Sequence, residues 1–128
     1  MNILLDTHTF LWLQTGPKRI PRELLADLER AEQLFLSTAS AWEISIKCAL
    51  GKLSLPESAS VYVPDRMRRS GIDAVAVELP HALAAGELPM HHRDPFDRVL
   101  VAQATLLNLP LASADTQLDA YGVDRRWS

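Results

Sequence analysis

The sequence predicts an α/β fold, a mainly parallel sheet with helices on both faces that makes a three-layer α/β/α sandwich. Three observations point there. Short apolar runs suited to buried strands alternate along the chain with segments whose apolar residues recur at helical spacing. Several helical segments carry start or stop signals, Thr or Asp before the first turn and Gly near the end. The 128 residues, 48% apolar and 23% charged, suit one core in a single domain over 1–128. Strands joined through helices need right-handed crossovers, and these cover both sheet faces.

Taken in order, the apolar run NILL is the first strand, and THTFLWLQT is a helix begun by Thr7 and stopped by Gly16-Pro17. PRELLADLERA brings Leu24, Leu25 and Leu28 to helical spacing. LFLST is the second strand and feeds ASAWEISIKCALGKL, a helix closed near Gly51. DRMRRSG reads as a helix with Pro64 in its first turn, where a missing amide proton costs nothing. DAVAVELP is the third strand and HALAAGELP a short helix. DPFDRVLVAQATLLN is a long helix with Asp94 as N-cap and Pro95 behind it. LPLASAD is the fourth strand, TQLDAYG a last helical turn, and VDRRW an edge strand.

The formal net charge of −3 argues against a protein that coats nucleic acid by general electrostatics. It leaves room for a nucleic-acid enzyme whose acidic site changes sign when it binds metal. The basic clusters DRMRR and DRRW read as solvated surface. Cys48 is the only cysteine, which excludes an intramolecular disulfide and a cysteine-built zinc site. MNILLD has no basic flank and breaks at Asp6, and no apolar run approaches the ~20 residues that cross a bilayer, so a cytoplasmic protein is expected.

In a parallel α/β sheet, ligands bind beyond the carboxyl ends of the strands, where the following helices begin. Four acids fall there: Asp6 ends the first strand, Glu43 lies in the first turn after LFLST, Asp97 is in the first turn of the long helix, and Asp115 ends LPLASAD. Each has a purely structural explanation: Asp6 and Asp115 as N-caps, Glu43 in a capping box from Ser40 or as an i,i+4 partner of Lys47, Asp97 as a favourable charge at a helix N-terminus. Together they are harder to explain so. Asp97 heads the row Leu100, Val101, Ala104, which faces the core, and two carboxylates ~4 Å apart repel by about 4 kcal/mol at an effective dielectric of 20. Oxygen-only ligands select hard divalent ions, Mg²⁺ or Mn²⁺, which serve hydrolytic phosphoryl transfer.

The expected arrangement has Asp6, Asp97 and Asp115 holding metal directly and Glu43 holding a second ion or its water. Ser113, two residues before Asp115, is a candidate to orient a carboxylate. Lys47 and Arg98 are candidate phosphate contacts, and Asp119 is a weaker candidate for a fifth ligand. The histidines are set aside as ligands: His91 and His92 are adjacent and point apart on any regular element, and His8 and His81 lack a partner at ligand spacing.

LLDTHTFLW at the start, STASAWEISIKCALGKL in the middle, and HRDPFDRVLVAQA followed by LASAD give this chain a resemblance to the PIN-domain ribonucleases of the VapC toxin type. The likeness covers nearly the whole chain in the right order. It implies a PIN-like sandwich and an acidic pocket for Mg²⁺ or Mn²⁺ in which Asp6, Glu43, Asp97 and Asp115 match the family's four acids. It also implies endoribonuclease activity on transfer or ribosomal RNA, control by a cognate VapB-type antitoxin protein, and a homodimer. Ser113 stands where threonine is frequent, which keeps the hydroxyl.

Other classes fit less well. A phosphatase of the haloacid dehalogenase type wants a second aspartate two residues after the first, where this chain has His8. A receiver-like phospho-acceptor wants paired acids after the first strand and a lysine after the last. A non-catalytic regulatory or protein-binding module is the remaining alternative.

Overall fold

The computed structural model describes all of residues 1–128. Five parallel strands form one sheet in the order β3-β2-β1-β4-β5, with β1 Asn2–Leu5, β2 Gln33–Ser37, β3 Ile72–Val75, β4 Leu111–Ala112 and β5 Arg125–Arg126. The six α-helices are α1 Thr7–Thr15, α2 Arg22–Arg30, α3 Thr38–Ala49, α4 Ala59–Ser70, α5 Leu79–Glu87 and α6 Pro95–Leu106. Short 3-10 turns at Pro17–Arg19 and Thr116–Tyr121 complete the chain.

Alternation along the central strands builds the three layers, since successive side chains leave a strand on opposite faces. Ile3 and Leu5 of β1, Leu34 and Leu36 of β2 and Ala112 of β4 join a core with Phe10, Leu24, Leu28, Ile44 and Tyr62 from α1 to α4. Leu4 and Leu111 point the other way, into a second core with Leu100, Val101 and Ala104 of α6 and Leu118. Both faces are apolar because both are covered, as parallel sheets require. No helix is long and apolar enough to cross a membrane.

Four boundaries differ from those the sequence predicts. α4 starts at Ala59, so Pro64 lies inside it rather than in its first turn. The helix tolerates this because Pro64 is exposed, as is Ser60, whose carbonyl loses its amide partner, while Tyr62 and Val63 are buried. β3 ends at Val75 because Glu78 and His81 form a capping box that opens α5 at Leu79. β4 is confined to two residues, after which Asp115 turns the chain by accepting from the Gln117 amide. Glu43 falls in the second turn of α3 rather than the first, since the helix begins at Thr38 with Ser37 as its cap.

Candidate active site

Strand β1 lies between β2 and β4, and chain connections leave it toward both sides. Such a switch point opens a crevice at the carboxyl ends of the strands. Asp6 follows β1 directly, α6 begins nearby with Asp97 in its first turn, and Asp115 lies three residues beyond β4. These three acids line one cleft of about 340 Å³ together with His8, Trp12 and Ala114.

Asp6 is buried, and its Oδ2 accepts a hydrogen bond of 2.8 Å from Ser113 Oγ. The same hydroxyl accepts from the Asp115 amide at 3.1 Å, so one serine joins the ends of β1 and β4. Asp6 occupies the N-cap position of α1 yet makes no side-chain cap bond, which leaves its carboxylate for the cleft. Burial raises its pKa above the ordinary value, against the pull of the Ser113 hydrogen bond.

Asp97 is set in register by its helix start. Asp94 Oδ1 accepts from the amides of Phe96 at 2.9 Å and Asp97 at 3.4 Å, and Pro95 supplies a pre-set φ. Burial first, then the nearby carboxylates of Asp6 and Asp94, push the Asp97 carboxyl up to about 7.

Glu43 lies deeper, with a relative exposure of 3%. Thr7 Oγ1 donates to its Oε1 at 2.7 Å and also lies 2.9 Å from Ser40 Oγ, while Lys47 Nζ meets its Oε2 at 2.8 Å. Its charge still raises the pKa of both Asp6 and Asp97, so it belongs to the same electrostatic cluster. The Glu43 hydrogen bond in turn holds the Lys47 ammonium above its ordinary value.

Three of the candidate contacts are engaged within the protein, and the first is Arg98. It is buried, and its guanidinium donates to the carbonyls of Gly86, Leu88, Pro89 and His92 at 2.9 to 3.3 Å. It is a clamp on the segment between α5 and α6 and does not reach out to a phosphate. Lys47 is engaged by Glu43. Asp119 is held by two hydrogen bonds from Arg125 at 2.7 and 3.1 Å.

The residue that spacing overlooked is His92. Its Nε2 lies 2.9 Å from Asp115 Oδ2 and 3.0 Å from Asp97 Oδ2, and the three side chains could together hold a metal ion. The Asp94 amide donates to Nδ1 at 3.3 Å, which assigns the proton to Nε2 and makes the ring a donor between the two carboxylates. Adjacent histidines do point apart: His91 packs against Tyr121 with ring centres 5.1 Å apart. That rule says nothing of where either one points. The available signal was that His92 sits two residues before the cap of a helix whose start lies on the acidic rim.

The donor set suits a hard divalent cation. Three carboxylates face one cleft, and the only basic side chain in salt-bridge contact with Asp97 or Asp115 is His92. Burial and mutual repulsion hold Asp6 and Asp97 toward the protonated form, a cost that a bound cation reverses.

Comparison with known proteins agrees with this architecture. The PIN domain family model matches residues 3–124. Over 60 residues the chain is 47% identical to Ribonuclease VapC16 of Mycobacterium tuberculosis, a match covering 47% of this chain and 41% of that protein. The chain thus spans about two fifths of the length of that curated relative. The fold is shared with the structure of VapBC2 from Rickettsia felis bound to a DNA fragment from their promoter, at a TM-score of 0.75 and 13% identity over 100% of both chains. A toxin-antitoxin complex from Klebsiella pneumoniae gives a TM-score of 0.66 at 20% identity over 97% of this chain and 95% of the other. FitAcB from Neisseria gonorrhoeae gives 0.62 at 20% identity, over 98% and 96%. With an acidic cleft at the switch point of a parallel sheet and a family model that spans nearly its whole length, this chain belongs to the PIN domain family.

Proposed function

We propose that this chain is an endoribonuclease dependent on Mg²⁺ or Mn²⁺ that acts as the toxin of a VapBC-type pair. The observation that carries the reading is the convergence of Asp6, Asp97 and Asp115 on one cleft, with Glu43 adding its charge from behind. Partial identity to a protein named a ribonuclease supports the activity, and structural likeness to toxin-antitoxin complexes supports a VapB-type protein partner.

Asp6, Asp97 and Asp115 would hold the cation, and Glu43 would bind a second ion or an ordered water. When bound, a divalent ion supplies a water of lowered pKa and positive charge against the developing charge on phosphorus oxygens. Ser113 fixes the Asp6 carboxylate, Thr7 and Lys47 fix Glu43, and Asp94 sets the register that aims Asp97. The substrate class is RNA, transfer or ribosomal. The exposed Leu79 and Leu83 of α5 and Trp42 of α3 support self-association as a homodimer, which sedimentation of the purified chain reads directly.

Purified protein should cut RNA when supplied with Mg²⁺ or Mn²⁺, and EDTA should abolish the cutting. Mapping RNA 5′ ends after induced expression identifies the substrate. RNA left intact under both ions would overturn the activity.

A further inference from the structure

One wall of the acidic cleft is aromatic, and metal chemistry makes no use of it. His8 and Trp12 lie one helical turn apart on α1 and both line the cleft with Asp6, Asp97 and Asp115. Their ring centres are 5.8 Å apart, and Trp12 continues to Trp127 at 5.7 Å, which joins the chain's C-terminal end to the same wall. The Arg19 guanidinium lies 5.8 Å from the Trp12 ring centre. His8 is exposed on this wall and Trp12 and Trp127 are half-buried, so ring surface remains accessible beside the carboxylates.

A purely structural account covers part of this. Trp12 and Trp127 both pack against the larger core. That packing does not explain an exposed imidazole on the same helix face, nor the cation placed over the indole. Aromatic rings beside an electropositive group form the platform on which single-stranded nucleic acid stacks its bases, while a neighbouring Arg meets the backbone or the ring faces. The cleft of about 340 Å³ falls at the small end of the range for ligand pockets, suited to one nucleoside and not to a duplex.

We propose that His8 and Trp12 form a stacking wall that holds the base of the nucleotide next to the scissile phosphate. The inference rests on the nuclease reading and adds to it the residues that hold a base. The three acids define where the reacting phosphate must lie. The wall, being continuous with them, then fixes which base is held. Stacking tolerates any base, so the wall selects for an accessible base more than for sequence, and purines, with the larger face, should bind better.

The test uses short single-stranded oligoribonucleotides that the protein cuts, with one abasic site moved stepwise across the cleavage position. Calcium replaces magnesium in the binding arm to hold them uncut. Against the wild-type chain, one abasic position beside the cut should weaken binding about ten-fold, the loss that removing one stacking partner produces. His8→Ala and Trp12→Leu should shrink that penalty to less than about three-fold at that position and leave the other positions unchanged, and Trp12→Phe should restore it. If Trp12→Leu does not fold, the wild-type profile and the exposed His8→Ala decide. A flat abasic profile in the wild type, or the same profile in the variants, overturns the wall while cutting of the intact oligonucleotides in Mn²⁺ continues. Failure to cut any RNA overturns the nuclease reading and the wall together.

Discussion

Asp97 is a helix-start acid displaced one turn into the core-facing row, and its carboxyl is pushed up to about 7 by burial and by the charges of Asp6 and Asp94. The unfolded chain releases that proton near 3.8, so folding takes up a proton between these values, and the contribution of Asp97 to stability falls as pH rises from about 4 to about 7. Above 7 the folded chain carries the full repulsion. Asp97→Asn should therefore stabilise the metal-free protein at pH 8 by about 1 kcal/mol, with Tm up by about 4 °C, and this gain should vanish near pH 4. Thermal unfolding at the two pH values checks it. The same variant should lose RNA cleavage by more than the 10–100-fold that removal of an outer partner costs a metal site. His92 opposes the shift: from its place 3.0 Å from Asp97 Oδ2 it lowers the Asp97 pKa. His92→Ala should accordingly move the Asp97 carboxyl higher still, read by carbonyl NMR titration.

Helices and loops position these side chains, and two features of them can be tested apart from chemistry. Arg98, in the first turn of α6, gathers four carbonyls from the segment that carries His92 to the cleft. Arg98→Met should destabilise the fold by about 3 kcal/mol in urea unfolding, because a buried charge-assisted network loses its donor. Arg98→Lys should recover little of it, since an ammonium cannot reproduce the planar fork. Faster amide exchange should be confined first to residues 86–92. In α4 the exposed Pro64 interrupts a helix that its neighbours stabilise by burial, so Pro64→Ala should raise stability by about 1 kcal/mol or more, read as a higher Tm. Pro64 also marks where local sequence signals end. Strand-helix alternation, the Asp94-Pro95 start and the edge strand were legible because each is a local signal. The full length of α4 was not, because tertiary burial of Tyr62 and Val63 outweighs a proline's local preference. His92 was hidden for a related reason: it sits in an irregular segment whose course is set by Arg98, 6 residues further on, and no periodicity describes such a segment. The rim position of Asp6, Asp97 and Asp115 was readable because the rim of a parallel sheet is a topological place, reached from strand order alone.

The molecule as a whole gathers like charges at one sheet edge while its net charge is only −3, so the cleft is far more acidic than the average surface. The folded state therefore carries a repulsion that the unfolded chain does not, and any ion that binds only the folded form must stabilise the entire domain. At a free Mn²⁺ concentration about 100 times Kd, the gain should be about 2.7 kcal/mol, a Tm rise of about 10 °C. A bound ion would compete with the proton on Asp97, whose carboxyl is pushed up to about 7. At pH 8 that carboxylate is mostly ionised and has little proton to give up to the ion. At pH 6 about nine in ten Asp97 carboxyls are protonated, so affinity should fall about ten-fold and the same Mn²⁺ concentration should give about half the stabilisation. Calorimetry in two buffers of different ionisation heat should find more protons released per ion at pH 6 than at pH 8. EDTA should return Tm to its metal-free value at both. An equal Tm shift at pH 6 and pH 8, or release of no proton at pH 6, would show that the ion binds without Asp97 and would move the metal site away from the switch point.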